Sequence, residues 1–82
     1  MARFFFHVHN GVGVIDDEDG RELPDLGRVR EEAIKGIRSI VSDEALKGCI
    51  DLRGRIEIAD AAGMIVLTVS FEEAFEITRA CH

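Results

Sequence analysis

The sequence predicts an α+β domain of order β-β-α-β-β-α. It is expected to form a four-stranded, mostly antiparallel sheet with one long, kinked helix on one face and a short C-terminal helix. Three observations predict this. Residues 3–9 and 55–59 alternate with the two-residue period of a strand. Apolar residues from Leu26 onward recur at helical spacing. Turn signals at Asn10–Gly11, Asp19–Gly20 and Gly63 separate these segments.

The first strand opens with RFFFHVHNG, residues 3–11. Alternation sends Phe4, Phe6 and Val8 to one face and Phe5, His7 and His9 to the other. Asn10–Gly11 predicts a hairpin turn, and VGVID over 12–16 the returning strand, with Val12 and Val14 on one face. The acidic run Asp16–Asp19 ends in Gly20 as a second turn. Pro24–Asp25 then announces a helix with Asp25 as N-cap.

Leu26, Val29, Ala33, Ile37 and Ile40 form the apolar stripe of that helix. Arg28, Glu31, Glu32, Lys35, Arg38 and Ser39 fall opposite, with Glu31 placed to pair with Lys35. The stripe loses phase after Val41, where Ser42 offers a new N-cap and Val41 and Leu46 a hydrophobic staple. A kink or short second helix is therefore expected over 42–47, ended by Gly48. Length argues the same way. An unbroken helix over 25–47 spans about 34 Å, against about 20 Å for a six-residue strand.

RIEIA, 55–59, is the third expected strand, with Ile56 and Ile58 on one face. DAAG forms a turn, and MIVLTVSF, 64–71, the fourth strand. Its apolar residues fall on both faces, Ile65, Leu67 and Val69 on one and Met64 and Val66 on the other, which predicts a central position. Ser70 and Glu73 make a capping box for a helix over 71–79, with Phe71, Ala74, Phe75 and Thr78 on one side.

Eighty-two residues make a single small domain, 1–82, with no repeat, linker or low-complexity segment. Apolar residues are 46% of the chain, too many for a disordered one. The net charge of −6 argues against nucleic acid and anionic membrane surfaces as partners. No apolar run approaches the roughly 20 residues of a membrane span. Cys49 and Cys81 lack ligand-like spacing and read as free thiols of a reducing compartment, so a cytoplasmic protein is expected.

Three groups of residues invite a chemical reading. His7 and His9 share a strand face, as two ligands of one metal would. Asp16 or Asp17 is the best third ligand; Cys81 and His82 are adjacent at a chain end. The simpler reading is two half-exposed histidines on a polar face. The run Asp16–Gly20 fails the calcium-loop frame, which would put Ile15 and Leu26 at liganding positions. It reads as a solvated acidic turn or a docking surface for a basic partner. Catalytic and cofactor motifs are missing: there is no P-loop and no nucleophile elbow, so neither an enzyme nor a cofactor is expected. The basic residues Arg28, Arg30, Lys35, Arg38, Arg53 and Arg55 alternate with acids, as on an ion-pair-laced surface. Phe5, Ile15, Met64 and Val66 are left as an apolar second face that needs cover, from the C-terminal helix or a partner chain.

FFHVHNG, DDEDGRELPDL, REEA, GRIEIAD-AAG and VSFEEAFEI, in this order and spacing, resemble a family of short bacterial proteins, mostly alphaproteobacterial, catalogued as a domain of unknown function. The resemblance covers roughly residues 3–77 and implies a small standalone cytosolic domain, with no site residues to carry over. DEDGRELPDL followed by REEAIKGI is also similar to antitoxin domains of the HicB type, which bind a toxin. The chain departs from that pattern in lacking the extra strand between the proline-containing loop and the helix. The expected function is a non-catalytic interaction or regulatory module that self-associates and meets an unidentified protein partner. Metal binding through His7 and His9 is the alternative, and an antitoxin-like role a further one.

Overall fold

A computed structural model describes residues 1–75. The element order is β1 (Ala2–Asn10), β2 (Gly13–Ile15), β3 (Arg21–Leu23), α1 (Leu26–Leu46), β4 (Arg55–Ala59), β5 (Ile65–Ser70) and a 3-10 turn (Phe71–Ala74). All pairings are antiparallel, in the order β2-β1-β4-β5, with β3 also on β1. The architecture is α+β, as the sequence predicts.

Strand β1 organises the sheet because it is nine residues long. One edge pairs with β4, from Phe5 opposite Ala59 to His9 opposite Arg55. The other edge carries two short strands in tandem. Val8 to Asn10 face β2, and Ala2 to Phe4 face β3. The sequence alone does not predict β3. Arg-Glu-Leu is too short for a visible alternation, and β1 supplies the pairing groups that make it a strand.

Helix α1 starts where expected. The Asp25 carboxylate accepts the Arg28 N–H at 2.8 Å. Val29, Ala33, Ile37 and Val41, spaced by four, are buried against Phe4, Ile56, Ile58 and Val69. Leu23, Phe71 and Ala74 close the core, and Phe6, Val8, Ile40 and Leu67 pack at its margin. The helix ends in a turn at Gly48 (φ 85°), where the Glu44 and Ala45 carbonyls accept from Lys47, Gly48 and Cys49.

Several expectations are corrected. No separate helix forms over 42–47; α1 is one 21-residue helix. It spans about 31 Å, and β1 at nine residues spans about 30 Å, so the overhang argument fails. Val41 stays in phase with Ile37, while Leu46 is 86% exposed and makes no staple. Leu26 is likewise outside the core. Lys35 lies near Glu32, at 3.8 Å, and Glu31 near Arg28. The strand expected to be central, β5, is at the edge; β1 and β4 are the central pair. Ile65, expected to share a face with Leu67 and Val69, is 49% exposed, because a bulge opposite Ile58/Ala59 shifts the register and aligns Ile65 with Ala59. The β1–β2 turn centres on Gly11 and Val12, one residue later than expected. There the Asn10 side chain accepts the Val12 and Gly13 N–H groups.

After β5 the capping box forms as predicted: the Glu73 carboxylate accepts the Ser70 N–H at 2.7 Å and its hydroxyl at 3.0 Å. These bonds, with Arg30 nearby, hold the Glu73 carboxyl below its ordinary value. The helix they start is only a 3-10 turn. Phe75 is already extended, and the continuation to 79, with Thr78, lies outside the described residues.

Two glycines have opposite roles. A Cβ at Gly54 would lie 2.7 Å from both the His9 carbonyl oxygen and the Phe71 ring, so the buried Phe71 requires glycine there. A Cβ at Gly36, inside α1, would meet only Ile56, at an ordinary 3.9 Å. Gly54→Ala is expected to lose about 1–3 kcal/mol of stability through overpacking. Gly36→Ala is expected to gain up to about 1 kcal/mol from helix propensity. Urea denaturation followed by circular dichroism measures both; equal effects at the two positions would refute this account.

Candidate functional site

The face of the sheet opposite α1 has no described element over it. Register arranges it in three cross-strand rows. Phe5, Ala59 and Ile65 form an apolar row; His7, Glu57 and Thr68 a polar one; His9, Arg55 and Ser70 a third. Met64, 65% exposed, adjoins the apolar row, and Val66 is the additional residue of the bulge. Of the four residues expected on this face, the register puts Phe5 on it, while Met64 and Val66 are exposed at the start of β5 without a cross-strand partner.

Ile15 does not lie on this face. It pairs with Val8 and therefore shares the helix-side face. Val14, opposite His9, takes the place on the second face. The returning strand is one residue out of the expected phase because the turn sits at Gly11–Val12, and a shift of one residue exchanges the faces.

The two histidines sit where alternation puts them, and each is engaged. His9 Nε2 lies 2.6 Å from Glu57 Oε1, with Arg55 Nε 3.5 Å from the other carboxylate oxygen. His7 Nδ1 accepts the Asp17 N–H at 3.2 Å, with Asp16 Oδ1 at 3.5 Å. This acceptor role places the neutral ring's proton on Nε2. Among the described residues, no three His, Cys, Asp or Glu side chains gather as a metal site would require. Asp16 approaches His7 and not His9, and Cys81 and His82 lie outside the described residues.

The acidic run has a structural centre that sequence reasoning missed. Between β2 and β3 the chain leaves the edge of β1, and the Phe6 N–H has no strand opposite it. Asp17 Oδ2 accepts that N–H at 3.1 Å, while Oδ1 accepts the Gly20 N–H at 3.1 Å. Gly20 (φ 71°) turns the chain back, with the Phe4 carbonyl and the Phe5 ring against it. Burial works against the Asp17 charge. The N–H groups of Phe6, Gly20 and Asp19, with Arg21, outweigh it and hold the carboxyl below its ordinary 3.8. Asp16, Glu18 and Asp19 are exposed around this clasp. An aspartate followed by a glycine three residues on was the available signal; which of the three aspartates faces β1 was not.

A second local clasp precedes β4. Arg53 binds Asp51 through Nε (2.9 Å) and Nη2 (2.8 Å), and its backbone N–H bonds the same carboxylate. The Arg53 side chain, together with that N–H, holds the Asp51 carboxyl down to about 2. Gly11 packs on this pair, since a Cβ there would lie 3.0 Å from Asp51 Oδ2.

Compared with known families, residues 3–72 match a domain of unknown function, DUF6894. The chain belongs to that family. The match covers β1 through the start of the 3-10 turn, and so both clasps and every strand. No curated protein and no solved structure matches the chain. Family membership therefore assigns no residue a role. No helix of the described residues is long and apolar enough to cross a membrane.

Asp17 yields a pH prediction. A carboxyl whose folded pKa is depressed contributes stability that is present above its unfolded value and is lost as pH falls through the folded one. The β2–β3 edge is therefore expected to loosen below about pH 4. Asp17→Ala, which leaves the Phe6 N–H without an acceptor, should cost about 1–2 kcal/mol at neutral pH. It should also speed hydrogen exchange at Phe6 and Gly20 and flatten the acid limb of the stability profile. Unchanged exchange at Phe6 would exclude the clasp.

Proposed function

We propose that the chain is a non-catalytic protein-interaction module that self-associates through strand β5. One contrast between the two sheet edges carries this reading. The β2–β3 edge is protected: two strands of three residues each, interrupted by an acidic bulge. The β5 edge is not. Ile-Val-Leu-Thr-Val-Ser has no charge and no proline, and no strand of the described residues pairs with its outer side. Met64, Ile65 and Val66 are exposed beside it. An open, uncharged edge of this kind is a template for another strand.

A second copy fits this edge. Two β5 strands meeting antiparallel about a two-fold axis join the sheets and bring the two Met64–Val66 patches into the same interface. Self-association also answers a size constraint, since a domain this small buries little surface alone. The histidines then serve the sheet face, His9 through Glu57 and His7 through Asp17. The reading keeps the cytosolic setting that the family resemblance implies, with any further protein partner meeting the assembled dimer.

Analytical ultracentrifugation from micromolar to millimolar concentration should give a dimer. Val66→Lys, which adds a charge at an exposed position of the edge, should give a folded monomer by the same measurement. A wild-type chain that stays monomeric at millimolar concentration would remove the proposal.

A further inference from the structure

We infer that the cleft between α1 and the β2–β3 edge is a docking site for a basic peptide segment that presents an arginine or lysine beside an apolar side chain. This surface lies across the sheet from β5 and does not depend on the self-association proposed above. The cleft measures about 440 Å³, within the range of about 300–1,000 Å³ common for ligand sites. It lies at the margin of the helix–sheet layer, between Glu32, Gly36 and Ile40 of α1 and the segment from Ile15 to Arg21.

The floor of the cleft is apolar. Phe6 and Val8 of β1, Ile56 of β4 and Ile40 of α1 line it, and Ile15, 62% exposed, stands at its β2 side. Gly36 also lines it and contributes no side chain where the helix would otherwise fill the space. Two rim carboxylates, Asp16 and Asp19, are exposed. Arg3 Nη1 donates to the Asp19 backbone carbonyl at 2.6 Å, but among the described residues the Asp19 carboxylate itself makes no ion pair, and the Asp16 carboxylate has only His7. Apolar floor and anionic rim together select an amphipathic cation.

The chain itself displays this chemistry at one end of the cleft. The Arg21 guanidinium lies 5.5 Å from the centroid of the Phe6 ring and donates to Glu32 Oε2 at 3.1 Å. Arg21 thus occupies the Glu32 end with a stacked, carboxylate-bound guanidinium, and the Asp16–Asp19 end offers carboxylates to a second one. The net charge of −6 favours approach of a basic partner at low salt. The cleft is an open groove along an edge, which suits an extended chain with an apolar and a cationic residue side by side.

The test uses the full chain and the blocked peptide acetyl-Leu-Arg-Leu-Arg-Leu-amide as probe, followed by amide chemical shifts. Shifts are expected at residues 15–21 and 32–40. Asp16→Asn with Asp19→Asn should weaken binding about tenfold, a change of about 1.4 kcal/mol. Gly36→Met should abolish binding while keeping or raising thermal stability, since a methionine fits the helix and fills the cleft. Val66→Lys should bind as the wild type does, which separates this site from the β5 edge. Should Gly36→Met fail to fold, the paired aspartate variant decides. The inference is overturned if shifts map elsewhere or if the paired variant binds normally. It is equally overturned if the peptide with Glu in place of Arg binds as well, or if spermidine alone matches the peptide in affinity and in shift pattern.

Discussion

One carboxylate keeps the sheet continuous where its strands are not. Strand β1 is long enough to require a partner along its whole outer edge, and the chain supplies two three-residue strands with a gap between them. Asp17 fills the gap by accepting the Phe6 N–H, and its own N–H goes to His7. A buried or half-buried backbone donor without an acceptor is costly. The acidic run is therefore partly structural: Asp17 belongs to the sheet, and Asp16, Glu18 and Asp19 are carried outward by the same turn.

The clasp shapes both surfaces that the chain presents. By lifting the chain off β1 between Ile15 and Arg21, it opens the cleft under α1 and places carboxylates at its rim. It also protects this edge from strand addition, through brevity, charge and a break in the ladder. The β5 edge has none of these features, and Met64, Ile65 and Val66 are exposed where it begins. The two edges are thus unlike in chemistry, one suited to a cationic side chain and the other to a strand. Family membership leaves both without an assigned role, since the family is a domain of unknown function.

The core behind these surfaces is thin. The four fully or nearly fully buried helix residues meet a few side chains from β1, β4 and β5, and Phe71 closes the end by packing onto Gly54. The backbone N–H of Phe71 bonds the Gly54 carbonyl at 2.9 Å, so ring and backbone are held at the same point. This contact ties the end of the described chain to the entry of β4. It explains why a glycine with ordinary φ is needed there: the constraint is space, since a side chain would occupy the place of the ring.

By itself the sequence determined the elements whose signals are local. The alternation in β1 and β4, the Asp25 cap, the four-residue spacing of Val29, Ala33 and Ile37, the DAAG turn and the Ser70–Glu73 box all appear as read. Each depends on residues within a few positions of one another. Tertiary structure decided what depends on partners distant in sequence. Strand β3 exists because β1 extends past β2, and α1 runs unbroken because β1 matches its length. Ile15 and Ile65 changed roles because a turn and a bulge each displaced the register by one residue, and in a sheet one residue exchanges the faces. Strand β5 reads as central because both its faces are apolar, yet it lies at the edge; apolar composition records that a strand needs cover, and only the assembled sheet decides which side is left without it.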